Sequence, residues 1–191
     1  MKLKSAAQRS AVIIIILLLS MICGYIYQFI GHRMDLKSHP RDFSEYVERY
    51  CTEYGVPEYI VYAVILTGSD FRSNYVSEDG KVGLMQLSPE TFKWLTSLTH
   101  ETMEKGILYD PETNIRYGTY MLSYLFTQYS RWQTVLAVCS SSEYLVQAWL
   151  ETPTYVDENG ALTVIPDEKV RQYVEQVEEE SLLYQKLYYT N

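Results

Sequence analysis

Cysteine, histidine and early acidic residues are scarce in this sequence, and each shortage excludes something. Three cysteines, Cys23, Cys51 and Cys139, occur in 191 residues. An odd count excludes a fully paired disulfide framework, and Cys51 and Cys139 can pair only if the fold brings them together. The histidines His32, His39 and His100 are scattered and share no metal-ligand spacing with the cysteines, so no metal and no cofactor is expected. No acid precedes Asp35, and Lys2, Lys4 and Arg9 lie ahead of the apolar run that ends at Ile30, so the chain after that run carries 24 acids against 13 bases, a net of −11. That balance argues against nucleic acid and against anionic membrane surfaces as partners. It is silent about a neutral sugar chain. Internal repeats and low-complexity stretches are also missing.

Charge is absent from Ala11 to Ile30, a run of 20 residues about as long as a bilayer core is thick. No small-x-small site closes the run, so an uncleaved signal anchor is expected rather than a removed signal peptide. The expected organisation is a cytoplasmic N-terminus at 1–10, a single membrane span at 11–30 and a linker at 31–39. A globular domain at 40–178 follows outside the cytoplasm, with a C-terminal helical tail at 179–191.

Within the domain, hydrophobic spacing near 3.6 residues predicts helices, and capping residues mark their starts. Asp42 with Glu45 reads as a capping box, and Gly55 as that helix's end. Pro57 opens a helix that buries Ile60, Val61, Val64, Ile65 and Gly68 on one face. Ser88-Pro89 and Asp110-Pro111 repeat a cap-then-proline start. Tyr155 to Val164, with Asn159-Gly160 at its centre, predicts a β-hairpin. A last helix begins after Pro166, and Glu178-Glu179-Glu180 reads as a solvated stretch. The 19 tyrosines are either core and rim packing or faces for sugar stacking.

Several motifs then occur in order. Ala63-Val64-Ile65 leads to Gly68-Ser69. Ser77 and Gly80 precede Gly83-Leu84-Met85-Gln86, and Pro89 and Thr91 follow. Asp110-Pro111 with Asn114, Ile115 and Gly118 leads into Tyr120-Met121-Leu122. Trp149, Ile165-Pro166 and Tyr173-Val174 close the series. Together they resemble the soluble lytic transglycosylase (SLT) family, bacterial enzymes that cleave the glycan strands of peptidoglycan on a goose-lysozyme-like fold. The resemblance implies a mainly α, lysozyme-like domain with a small β-hairpin. It makes Ser69, Met85 and Gln86 substrate-binding positions.

Two departures accompany the resemblance. The family ends the first helix in Glu-Ser, and that Glu is its only catalytic carboxylate; here Gly68 stands in its place. The family's next cleft motif is Ala-Tyr-Asn-Ala-Gly; here the run is Val138-Cys139-Ser140-Ser141-Ser142, so Cys139 replaces the Tyr and Ser140 the Asn. A glycosidic bond breaks only when a proton reaches the leaving oxygen, and Gly68 has none to give. Asp70, Glu78 and Asp79 are the alternative acids nearby, Glu78 and Asp79 reading as loop charges, although Asp70 points about 200° around the helix if the helix persists. Gly68 itself also suits a helix C-cap. The expectation is a catalytically inactive, membrane-anchored relative that binds glycan strands or a cell-wall synthesis or division protein. An active enzyme using a loop carboxylate, and a protein-interaction module without sugar binding, are the other readings.

Overall fold

The computed structural model describes residues 6–101 and 106–190, and the chain divides after Pro40 into two compact units. The first unit is a single helix, α1 (Ala6–Ser38), whose side chains from 11 to 30 are exposed. Its segment Ala11–Ser38 is long and apolar enough to cross a membrane. The expected linker at 31–39 is therefore mostly helical. Its straight-chain residues favour helix, and nothing interrupts it before Pro40 disfavours helical backbone in the residue ahead of it.

The second unit starts at Arg41 and holds α2 (Ser44–Tyr54), α3 (Glu58–Ser69), α4 (Pro89–Thr99), α5 (Pro111–Tyr129), α6 (Trp132–Ser140), α7 (Glu143–Leu150) and α8 (Glu168–Tyr188). A 3-10 turn, Ile107–Tyr109, precedes α5. The N-caps expected at Ser88 and Asp110 are present. Ser88 accepts from the Thr91 N–H and Asp110 from the Thr113 N–H, each with proline in the first turn. The capping box at Asp42 does not form. Phe43 occupies the cap of α2 in a left-handed conformation, φ 61°, and no side chain caps the helix.

α3 is the spine of the domain. Ile60 to Ile65 are all buried, and α3 packs along α8 while α2 packs along α5 and α6 against both α5 and α8. Tyr62 is fully buried and stacks on Tyr184 with ring centroids 5.3 Å apart. Such a pair contributes about 0.5–1.5 kcal/mol beyond the area it buries. α8 runs unbroken through residue 178, and Ser181 and Tyr184 are buried. The boundary expected at 178 thus falls inside a core helix, and the described part of 179–191 is domain rather than tail.

Among the described residues, strand structure is limited to single bridges. Val156 pairs with Leu162 around the Asn159-Gly160 turn, so the expected hairpin is one bridge long. Its turn is organised by the Asp157 carboxylate, which accepts from the Asn159 and Ala161 N–H groups. A second small β-bend, unforeseen in the sequence, links Val76 to Val82 and Val82 to Leu87.

Candidate functional site

The chain reverses directly after α3 because Asp70 and Phe71 both take left-handed backbone, φ 52° and 58°. Asp70, not Gly68, is the C-cap, its N–H donating to Leu66 O. Gly68 lies within the helix and outside the positive-φ residues, so the expected capping role does not apply to it. A Cβ at position 68 would stand 3.2 Å from Gln86 Cγ and 3.8 Å from Leu84 O.

The segment Gly83–Gln86 is folded back onto this helix end and held from α5. Asn114, fully buried, accepts from the Met85 N–H (2.7 Å) and donates to Val82 O (3.0 Å) and Leu108 O (2.9 Å). Gly83 has φ 81°, and a Cβ there would lie 2.7 Å from Leu108 O, so no other residue fits the turn. Gly118 makes room on α5 for Met85, whose Cβ would be 2.7 Å from a side chain at 118. One buried amide and two missing side chains therefore set the cleft floor.

A cavity of about 240 Å³ opens beside Gly68, lined by Thr67, Gly68, Met85, Gln86, Cys139, Ser140 and Tyr173 among others. A second, of about 470 Å³, adjoins it and reaches Thr91, Trp94 and Glu143. Gly68, Cys139 and Ser140 are thus brought together, as the resemblance implied. So are Met85 and Gln86. The Gln86 amide is spent inside the fold, donating to Gly83 O at 2.7 Å. Ser69 corrects the expectation of a substrate contact. It is 2 % exposed, and its hydroxyl is shared between Ile65 O and Leu84 O, stapling α3 to the cleft floor.

Two of the three alternative acids lie elsewhere. Asp70 and Glu78 are exposed, and neither lines the two cavities. The carboxylate that reaches the first cavity is Asp79. It accepts from the Ser77 hydroxyl and faces Lys81 Nζ at 3.5 Å. The Ser77 bond, with Lys81 adding to it, holds its pKa below the usual value.

Lys81 and Tyr173 escaped the sequence reading as site residues. The Lys81 ammonium crosses to the end of α6 and donates to Cys139 O (3.3 Å) and Ser140 O (3.4 Å). No local pattern signals this, because its partners are more than fifty residues on. Tyr173 comes from α8, and burial raises its hydroxyl pKa. Burial also pushes the Cys139 thiol up to about 12, which disfavours the thiolate.

Comparison with known proteins supplies the context for this cleft. Residues 45–153 match the transglycosylase SLT domain family. Membrane-bound lytic murein transglycosylase C of Edwardsiella ictaluri is 30% identical over 114 residues, covering 58% of this chain and 31% of that protein. Its counterpart in Yersinia pestis is 31% identical over 105 residues, covering 53% of this chain and 29% of that protein. The chain therefore spans about a third of the length of these curated relatives. Among solved structures, an inactive Glu-to-Gln mutant of the lytic transglycosylase Slt from Pseudomonas aeruginosa superposes with a TM-score of 0.69 at 26% identity, covering 78% of this chain and 25% of that one. A 70-kDa soluble lytic transglycosylase in complex with bulgecin A gives 0.72 at 25% identity, covering 80% of this chain and 25% of that one.

Proposed function

Because the chain belongs to the transglycosylase SLT domain family, we propose that it is a membrane-anchored protein that holds peptidoglycan glycan strands without cutting them. The observation that carries this reading is the acid position. At the cleft floor, where the family places its one catalytic Glu, Gly68 offers no ionisable group. A general acid near neutral pH must have its pKa raised so that it still carries its proton. Among the described residues, the one carboxylate lining the first cavity, Asp79, is shifted the other way.

The relatives support the same reading. The Pseudomonas aeruginosa enzyme is described as inactive with a single Glu changed to Gln, so loss of one carboxyl suffices to silence that protein. The matched curated proteins are membrane-bound, which supports α1 as the anchor with the domain outside the cytoplasm. The retained floor, Asn114 with Gly83 and Gly118, supports ligand binding, since it keeps a cleft open beside position 68.

The test uses the purified full chain in detergent, incubated with insoluble peptidoglycan. Protein should co-sediment with the wall while chromatography of the supernatant shows no anhydromuropeptides. Release at the rate of an ordinary family member would overturn the reading. Failure to sediment would leave the protein-interaction module in its place.

A further inference from the structure

The cleft holds two adjoining cavities. Its two cavities share a wall made by Lys81, Gln86, Met121 and Cys139. Lys81 is the member of that wall that spans it. Its backbone belongs to the bend between Val76 and Leu87, and its ammonium reaches the last turn of α6. Cys139 O and Ser140 O lie in the final turn of α6, where carbonyls lack helical partners and favour a cation. Asp79 holds the same ammonium from the bend side, at 3.5 Å. The Lys81 side chain is 21% exposed. It is a strut fixed at both ends.

We propose that Lys81 closes the groove to a through-running strand, so that the cavity beside Gly68 receives the terminal sugar of a glycan chain. The inference rests on the glycan-binding reading above. A volume of about 240 Å³ is small beside ligand pockets of about 300–1,000 Å³, and suits one ring better than several. Thr67, Ser140 and Tyr173 add polar side chains to its lining, the Ser140 hydroxyl donating to Ala137 O at 3.2 Å. Val64, Met121 and Val170 supply apolar contact for a ring face.

End recognition and strand recognition differ in how binding scales. Peptidoglycan glycan strands stripped of their peptides are sorted by length, and the full chain in detergent is titrated against each fraction at equal total disaccharide. For an end binder, bound protein per disaccharide falls between fractions by the ratio of their mean strand lengths. Lys81→Ala, which joins the two cavities, should lose that dependence and bind in proportion to total sugar. Lys81→Arg reaches the same carbonyls and should keep it. Circular dichroism confirms that each variant is folded. The wild-type scaling decides the matter even if Lys81→Ala fails to fold. Wild-type capacity that tracks total sugar regardless of length overturns the end-binding inference while leaving glycan binding intact. No binding to any fraction overturns both.

Discussion

Gln86 lies over Gly68, its Cγ placed 3.2 Å from where a Cβ at 68 would be. Gln86 is held there by its own backbone, φ 55°, and by its amide bond to Gly83 O. The space a catalytic carboxylate would enter is therefore partly covered by the neighbouring motif. Position 68 carries no side chain, and Gln86 packs against it.

Gly68→Glu is expected to restore an acid and little activity. The new side chain must shift Gln86 by a few tenths of an ångström, and it gains neither the Tyr nor the Asn that the family sets beside its Glu. Cys139 and Ser140 are shorter and offer weaker or fewer hydrogen bonds. Groups that act as a unit are strongly non-additive. Gly68→Glu with Cys139→Tyr and Ser140→Asn should thus release more anhydromuropeptide than the separate effects multiplied together. Full family-like turnover from Gly68→Glu alone would show that Cys139 and Ser140 are no impediment.

Asn114→Ala should collapse the cleft floor. It strands the Met85 N–H and the Leu108 carbonyl, and leaves Val82 O with the Leu87 N–H alone. Unsatisfied buried groups cost about 1–3 kcal/mol each, so a loss of about 3 kcal/mol or more is expected from urea denaturation. A loss under about 1 kcal/mol would mean that water replaces the amide without difficulty.

Local features of the fold were legible and distant ones were not. Ser88, Asp110 and the start after Pro166 were visible because a cap and its partner lie three residues apart. Gly68 stood out only against the family pattern, not by any local signal. Ser69 was misplaced because its staple to Leu84 is a tertiary contact. The strut at Lys81 depends on carbonyls at the end of another helix, which no local spacing encodes. The bend at Val76, Val82 and Leu87 is too short to show alternation. The end of α8 could have been read. Val170, Val174, Val177, Ser181 and Tyr184 continue one stripe past the acidic run at 178–180, whose three charges alone suggest a solvated end.

Tyr184→Ala tests that helix end directly. Tyr184 is fully buried against Tyr62, and Tyr188 stacks on its other side at 6.0 Å. Emptying such a site costs about 3–5 kcal/mol, a large share of the stability of a domain this size. Thermal unfolding should show a strongly lowered midpoint. A midpoint within a degree or two of wild type would return residues 179–191 to the status of a tail.

The anchor is tested by protease treatment of intact protoplasts. With α1 in the membrane and the second unit outside, an antibody to the C-terminus should lose its signal. Persistence of that signal until the cells are lysed would place the domain inside.

The Asp79 carboxylate separates structure from catalysis by its response to pH. Its folded pKa lies below the unfolded value, chiefly through the Ser77 hydroxyl and then through Lys81. The contribution to stability is therefore present above about pH 4 and is lost as pH falls through the depressed folded value. The side chain is 61% exposed, so screening limits that contribution to less than about 1 kcal/mol. Asp79→Asn should lower stability slightly at neutral pH and not at all at the acid end, measured by denaturation at both. A catalytic acid would behave differently. It needs a raised pKa, and removing it would abolish turnover across the neutral range. If wild type released anhydromuropeptides and Asp79→Asn did not, Asp79 would be the acid, and glycine at 68 would no longer imply silence.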